Sequence, residues 1–193
     1  MSNLMLTVEE QKILLQLARL ALVAAIKEKK HLQYDKQSLP ASFLEMGASF
    51  VTLKKNHQLR GCIGTLAAHQ SLVTDVLEHT VQAALSDPRF PPVTVSELSD
   101  IMIYISVLTQ PEALVFHSEQ DCIGQLRVGI DGVILSDKGH RGTFLPSVWE
   151  ELPNPQDFFS HLKNKAGFQK NYWSETVSVQ RYQVQYLAED GII

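Results

Sequence analysis

A chain of 193 residues that is 45% hydrophobic buries a real core in one or two domains, and 20% charged residues with a net charge of −4 leave no broad electrostatic footprint for nucleic acid. Two cysteines, Cys62 and Cys122, are too few for a disulfide framework and suit a reducing compartment. The first thirty residues lack the basic start, continuous apolar run and small-residue cleavage site of a signal peptide, and no apolar run reaches membrane-spanning length, so the expectation is a soluble, cytoplasmic protein.

In chain order, "TVEEQKILLQLARLALVAAIKEKK" opens on a capping box between Thr7 and Glu10, and Ile13, Leu14, Leu17, Ala21 and Ala24 then recur at helical spacing. "ASFVTLKKNHQLRGCIGTL" predicts a β-hairpin, with "KKNHQ" as its polar turn. "SLVTDVLEHTVQAALSDPRFPP" predicts a helix that starts at Ser71 and ends before Pro88. "IMIYISVL" is nearly all apolar or β-branched, as a central strand buried on both faces would be. "SEQDCIGQLRVG" predicts a short helix closed near Gly129, with Cys122 and Leu126 on one buried face. A strand at 133–136, a glycine-rich turn and a helix from about Pro146 follow. "NPQDFFSHLKNKAG" places Asn154 as N-cap, Pro155 at the first helical position and Gly167 past the end. "TVSVQRYQVQYL" predicts a late strand whose alternation slips near Gln180, as at a bulge. Strands and helices do not alternate regularly, so the fold class is α+β.

"HQLRGCIGTL" is strand-like, yet Gly61 and Gly64 interrupt it, and glycine in a strand marks a bulge or a close approach by another group. Cys62 is the residue with clear nucleophilic potential, because a neighbouring cation or exposed amides would lower a thiol pKa. Arg60, two residues away on a regular strand, would share its face. A free cysteine is also a common small core hydrophobe, and that reading stays open. His57, His69, His79, His140 and His161 are candidate bases, but none has metal-ligand spacing with a cysteine. "GHRGTF" lacks the lysine and the spacing of a phosphate loop and reads as a tight turn. In "SDPRFPP", Asp87 and Arg89 bracket Pro88, which reads as a local turn lock displaying Phe90.

"LRGCIGTL", "AALSDPRFPPVTVSEL", "IYISVLTQPEAL" and "GIDGVILSDKGHRGTFLPSVWEELPNPQDFFSHLKNKAGF" occur in this order, followed by Trp173. This set resembles the AMMECR family, whose prokaryotic members are called AmmeMemoRadiSam system protein A, over about Phe50 to Trp173. The family's LRGCIG segment corresponds to Leu59, Arg60, Gly61, Cys62, Ile63 and Gly64, and its GTFLP segment to Gly142, Thr143, Phe144, Leu145 and Pro146. Members often carry a cysteine just before "KAG"; lysine and asparagine stand there in "HLKNKAG", so a second thiol at that place has no part in this protein. The resemblance implies a single AMMECR-type domain over 1–193, with a larger α+β part and a smaller one around a cleft that holds the LRGCIG segment. It also implies a Memo-type partner and a radical-SAM enzyme but no established reaction; a role in modifying RNA or its bases is among the proposals for the family.

Three readings follow. As an enzyme, the chain would perform a cysteine-dependent transfer or hydrolysis with Cys62 as nucleophile and Arg60 as thiolate or anion stabiliser. Gly61, Gly64, Thr65, Arg89, Arg141, Gly142 and Thr143 would then bind the substrate, with Arg141 favouring an anion and Thr143 offering a hydroxyl. As an adaptor, it would present this surface to the Memo-type or radical-SAM partner. As an RNA binder, it would use Arg60, Arg89 and Arg141. No cofactor or metal is expected, and a homodimer is compatible with all three.

Overall fold

Thr7 opens α1 (Val8–Val23) in this computed structural model, which describes residues 5–189. Its hydroxyl accepts from the Glu10 amide at 3.3 Å while the Glu10 carboxylate accepts from the Thr7 amide at 2.7 Å, so two amides at the helix start find partners. Leu14, Leu15, Ala18, Ala21 and Leu22 form its buried face, with Ile13 and Leu17 at the margin. A π-helical turn, Ala24–Glu28, continues the helix until Lys29 takes a left-handed conformation (φ 56°) and ends it.

After the short α2 (Ala41–Leu44) come β1 (Met46–Lys55) and β2 (Gln58–Gly64), an antiparallel hairpin. The predicted five-residue turn shrinks to Asn56 and His57, whose positive φ values (50° and 63°) match the tight turn whose twist suits a hairpin. β3 (Gln70–Ser71) leads into α3 (Leu72–Leu85), followed by a 3-10 turn at Val95–Glu97 and β4 (Ile101–Leu108). The second part of the chain contributes β5 (Glu112–Ala113), α4 (Glu119–Gly124), β6 (Gly132–Asp137), β7 (His140–Phe144), α5 (Pro155–Lys165), β8 (Ser178–Tyr182) and β9 (Val184–Ala188).

The expected α+β class holds, with two sheets that fall in two compact units. One unit runs up to Thr109 and resumes at Gln185; the other spans Gln110–Val184. In the first, the strand order is β2-β1-β4-β9 with β3 pairing β1, which leaves β2 at the edge. Leu14, Leu22, Val51, Leu53, Leu72, Val76, Ile103 and Ile105 make its core. β4 is interior, but it is not buried on both faces. Ile101, Ile103, Ile105 and Val107 are buried, while Met102, Tyr104 and Ser106 are half-buried, because helices cover only one side of this antiparallel sheet.

In the second unit the order is β5-β8-β6-β7. Its core gathers Ile123, Val133, Leu135, Trp149, Phe158, Phe159 and Leu162, with Trp149 and Phe158 stacked at 3.6 Å. α5 begins and ends as its caps predict: Asn154 accepts from the Gln156 and Asp157 amides, and Gly167 has φ 87°. The predicted helix from "SEQDCIGQLRVG" stops earlier, at Gly124, although Cys122 and Leu126 are both buried. Two further expectations are corrected. "GHRGTF" is not a turn as a whole: Lys138 and Gly139 make the turn, and the ladder resumes at His140. The phase slip in "TVSVQRYQVQYL" is not a bulge. At Gln183 the chain leaves one sheet for the other, so the faces of β8 and β9 answer to different cores.

A carbon added at Gly61 would lie 2.1 Å from the Ala83 carbonyl oxygen, so α3 can cross β2 at this height only over a glycine. Gly61→Ala is therefore expected to cost at least about 2 kcal/mol, the scale of an overpacked site, read as a lower urea midpoint. Gly124→Ala, where nothing lies within 4 Å of the added carbon, is expected to be neutral or slightly stabilising. Equal midpoints for the two variants would contradict this packing.

Candidate functional site

An edge strand exposes a row of backbone groups that need partners. At Cys62 those partners come from the turn after α3. The Cys62 amide donates to Asp87 Oδ2 at 2.8 Å, and the Cys62 carbonyl accepts from Arg89 Nη2 at 3.2 Å. Asp87 also accepts from the Arg89 amide at 3.0 Å, from Nε at 3.0 Å and from Nη2 at 2.7 Å. The turn lock read from "SDPRFPP" is present, and it extends further, to the strand that carries the thiol. Pro88 between the two residues fixes one backbone torsion of this turn.

The Cys62 side chain is half-buried and faces Thr52 across the ladder, whose hydroxyl donates to Sγ at 3.3 Å. The cation beside it is Arg89. Its own pKa is raised, first by its hydrogen bonds to Asp87 and further by the Asp87 charge. Asp87 is nearly fully buried, whereas the Arg89 side chain is 53% exposed.

Arg60 does not take the place that its spacing suggested. The ladder slips between Leu53 and Lys54, leaving Arg60 without a partner on β1, and across such a bulge the two-residue repeat of faces no longer applies. Its guanidinium makes a two-pronged contact with Glu97, 3.0 Å from Nε and 3.2 Å from Nη2, and Lys55 adds a contact to the same carboxylate at 3.2 Å. This ties β2 to the turn Val95–Glu97. The glycines are corrected too: what approaches Gly61 is α3, and what approaches Gly64 is the Ser49 carbonyl and the Phe50 ring of β1, so the protein's own packing fills both places. Thr65 serves locally, its amide donating to Ser49 and its hydroxyl accepting from the Ala67 amide.

The remaining expected residues belong to the second unit. Gly142 packs on Ala166, the Thr143 hydroxyl lies 3.1 Å from that of Tyr182, and Arg141 is exposed. Cys122 is sealed, and burial, with the nearby Asp121 and Glu119 charges, pushes its thiol up to about 12. Lys163 is buried against Glu119 at 2.6 Å and the Lys170 carbonyl at 3.1 Å.

The sequence reading missed a buried network under the first sheet: Ser49 donates to Asp75 at 2.6 Å, and Asp75 lies 3.1 Å from His79 Nδ1. Its signal was the i,i+4 spacing of Asp75 and His79 on one helix. Glu97 and Thr52 were missed as well, since only pairing places them. Among the described residues no group of three or more His, Cys, Asp or Glu side chains could hold a metal ion, and no helix is long and apolar enough to cross a membrane. Two pockets of about 640 and 410 Å³ in the first unit are lined by other residues, around Arg19 and around Tyr34, so Cys62 borders neither.

A family model described as AMMECR1 matches residues 15–187. A protein of Methanothermobacter thermautotrophicus is 37% identical over 185 residues, covering 95% of this chain and 96% of that protein. A protein of Methanocaldococcus jannaschii is 32% identical over 189 residues, covering 96% and 92%. The crystal structure of an uncharacterised protein from Pyrococcus horikoshii is similar with a TM-score of 0.82 at 29% identity, covering 97% of this chain and 95% of that one.

The Arg89 guanidinium holds the Asp87 carboxyl well below the usual carboxylate range, and Arg60 does the same for Glu97. Both folded-state values lie below the unfolded values of about 4, so the stability they contribute is complete above that pH and drains away as pH falls below it. Asp87→Asn is therefore expected to lower the urea midpoint at neutral pH and to flatten its fall toward about pH 3. A native chain that loses no more stability on acidification than this variant would contradict the assignment.

Proposed function

The chain belongs to the AMMECR1 family, and from that premise we propose that Cys62 is a reactive thiol serving a cysteine-dependent transfer or hydrolysis. The observation that carries this reading is the contrast between the two cysteines. Cys122 is closed off in a core, while Cys62 is half-buried, receives a hydroxyl hydrogen bond and lies beside a clamped guanidinium. A thiolate is the reactive form of cysteine, and a neighbouring cation favours it. In such a reaction Sγ bonds to an electrophilic carbon of the substrate, the leaving group departs with its bonding pair, and the thiol proton passes to solvent. Arg89, which donates to the Cys62 carbonyl, would supply that cation in preference to Arg60, which is paired with Glu97.

A second reading, a binding module for a Memo-type or radical-SAM partner, draws support from a different fact. Arg60, Gly61, Gly64 and Asp87 are all committed to contacts inside the protein. Under that reading these residues build the surface and the thiol is incidental. Retention of RNA through Arg60, Arg89 and Arg141 has less support, because Arg60 is already paired with Glu97.

Iodoacetamide near neutral pH is expected to label Cys62 first and Cys122 only as the chain unfolds, read by mass spectrometry of the labelled peptides. In cells lacking this protein, Cys62→Ser is expected to fail to restore function although it folds. Equal labelling rates, or full complementation by Cys62→Ser, would favour the binding module.

A further inference from the structure

Arg89 has more donors than its clamp uses. Nε and Nη2 are engaged with Asp87 and the Cys62 carbonyl, whereas Nη1 makes no hydrogen bond with any described residue, and half the side chain is exposed. Its orientation is fixed from two sides, by the Asp87 carboxylate and by the Phe90 ring, whose centroid lies 5.6 Å from the guanidinium carbon. Arg60 lies 6.0 Å from the same ring, and with it come Lys55 and Glu97. The charges of this patch do not cancel: Lys55, Arg60 and Arg89 stand against Asp87 and Glu97, three positive against two negative. These five side chains sum to one positive charge in a chain whose overall charge is −4.

We infer that the free edge of Arg89 is an oxyanion subsite beside Cys62, so that the substrate carries a carboxylate or phosphate next to its electrophilic carbon. Nη1 keeps its two N–H donors for an oxyanion, and a donor already held in place loses little freedom on binding. Asp87 does not compete with the anion for Nη1, since its oxygens are filled by four hydrogen bonds from other donors. The inference rests on the reading of Cys62 as a reactive thiol and adds the class of substrate to it.

Two reagents of similar shape separate the two ideas. Iodoacetate and iodoacetamide both alkylate a thiolate with loss of iodide, the new C–S bond forming as the C–I bond breaks, but only iodoacetate carries a negative charge. On the full chain, the iodoacetate-to-iodoacetamide rate ratio at Cys62 is expected to exceed that of the urea-unfolded chain by about threefold, the scale of an exposed charge contact. Added salt is expected to erase the excess, Arg89→Gln to abolish it and Arg89→Lys to keep part of it. Inorganic phosphate and acetate, tried separately at constant ionic strength, would tell which oxyanion protects Cys62 better. Brisk labelling by iodoacetamide without a raised ratio would overturn the subsite and leave the reactive thiol standing. Failure of both reagents to label folded Cys62 would overturn both. Should Arg89→Gln not fold, the salt dependence of the native ratio decides: a preference that survives high salt would contradict the subsite.

Discussion

The buried carboxylate of Asp87 is the contact on which the rest of this site depends. It gathers three donors from Arg89 and one from the Cys62 amide, and so joins the turn after α3 to the edge of the first sheet. Without it, three things would come loose together: an edge-strand amide, a guanidinium and the backbone that sets the direction of the thiol. A nearly fully buried charge is tolerated only when it is fully hydrogen-bonded, and here each oxygen is.

Around this lock the other features of the segment find physical reasons. Gly61 lets α3 pass close enough for the turn that follows the helix to reach Cys62. The bulge at Arg60 turns that side chain toward Glu97, and the resulting contact secures the start of β2 to the turn at Val95–Glu97. Asp87 and Glu97 thus hold the edge strand at two points, each carboxylate matched to one arginine. The side-chain atoms that this lock leaves at its margin are the sulfur of Cys62, the hydroxyl of Thr52 and Nη1 of Arg89.

Much of the fold was legible in the sequence where local signals carry it. The capping box at Thr7, the Asn154-Pro155 start of α5 and the hairpin around Asn56 each depend on residues within a few positions, and all appear where expected. The failures share a cause, which is that tertiary pairing overrode local pattern. Arg60 and Cys62 are two apart, but a register slip set by β1 breaks the parity of faces. The glycines of the LRGCIG segment do signal close approach, yet a single chain cannot say whether the visitor is a ligand or the protein itself, and here it is Ala83 at Gly61 and Ser49 with Phe50 at Gly64. At Gln183 the change of phase comes from a change of sheet, which no local propensity encodes. Asp87 was seen as a partner for Arg89; its bond to an amide 25 residues earlier in the chain was not, because it requires the fold.

The most direct test of this account is amide hydrogen exchange at Cys62. An edge-strand amide with no acceptor exchanges readily, whereas one bonded to a buried carboxylate is protected until the local structure opens. In the native chain the Cys62 amide is expected to be protected like that of Val51 in β1, and in Asp87→Ala to exchange at least roughly tenfold faster while the Val51 amide stays protected. A Cys62 amide that exchanges in the native chain as fast as that of Asn56, in the exposed hairpin turn, would contradict the lock.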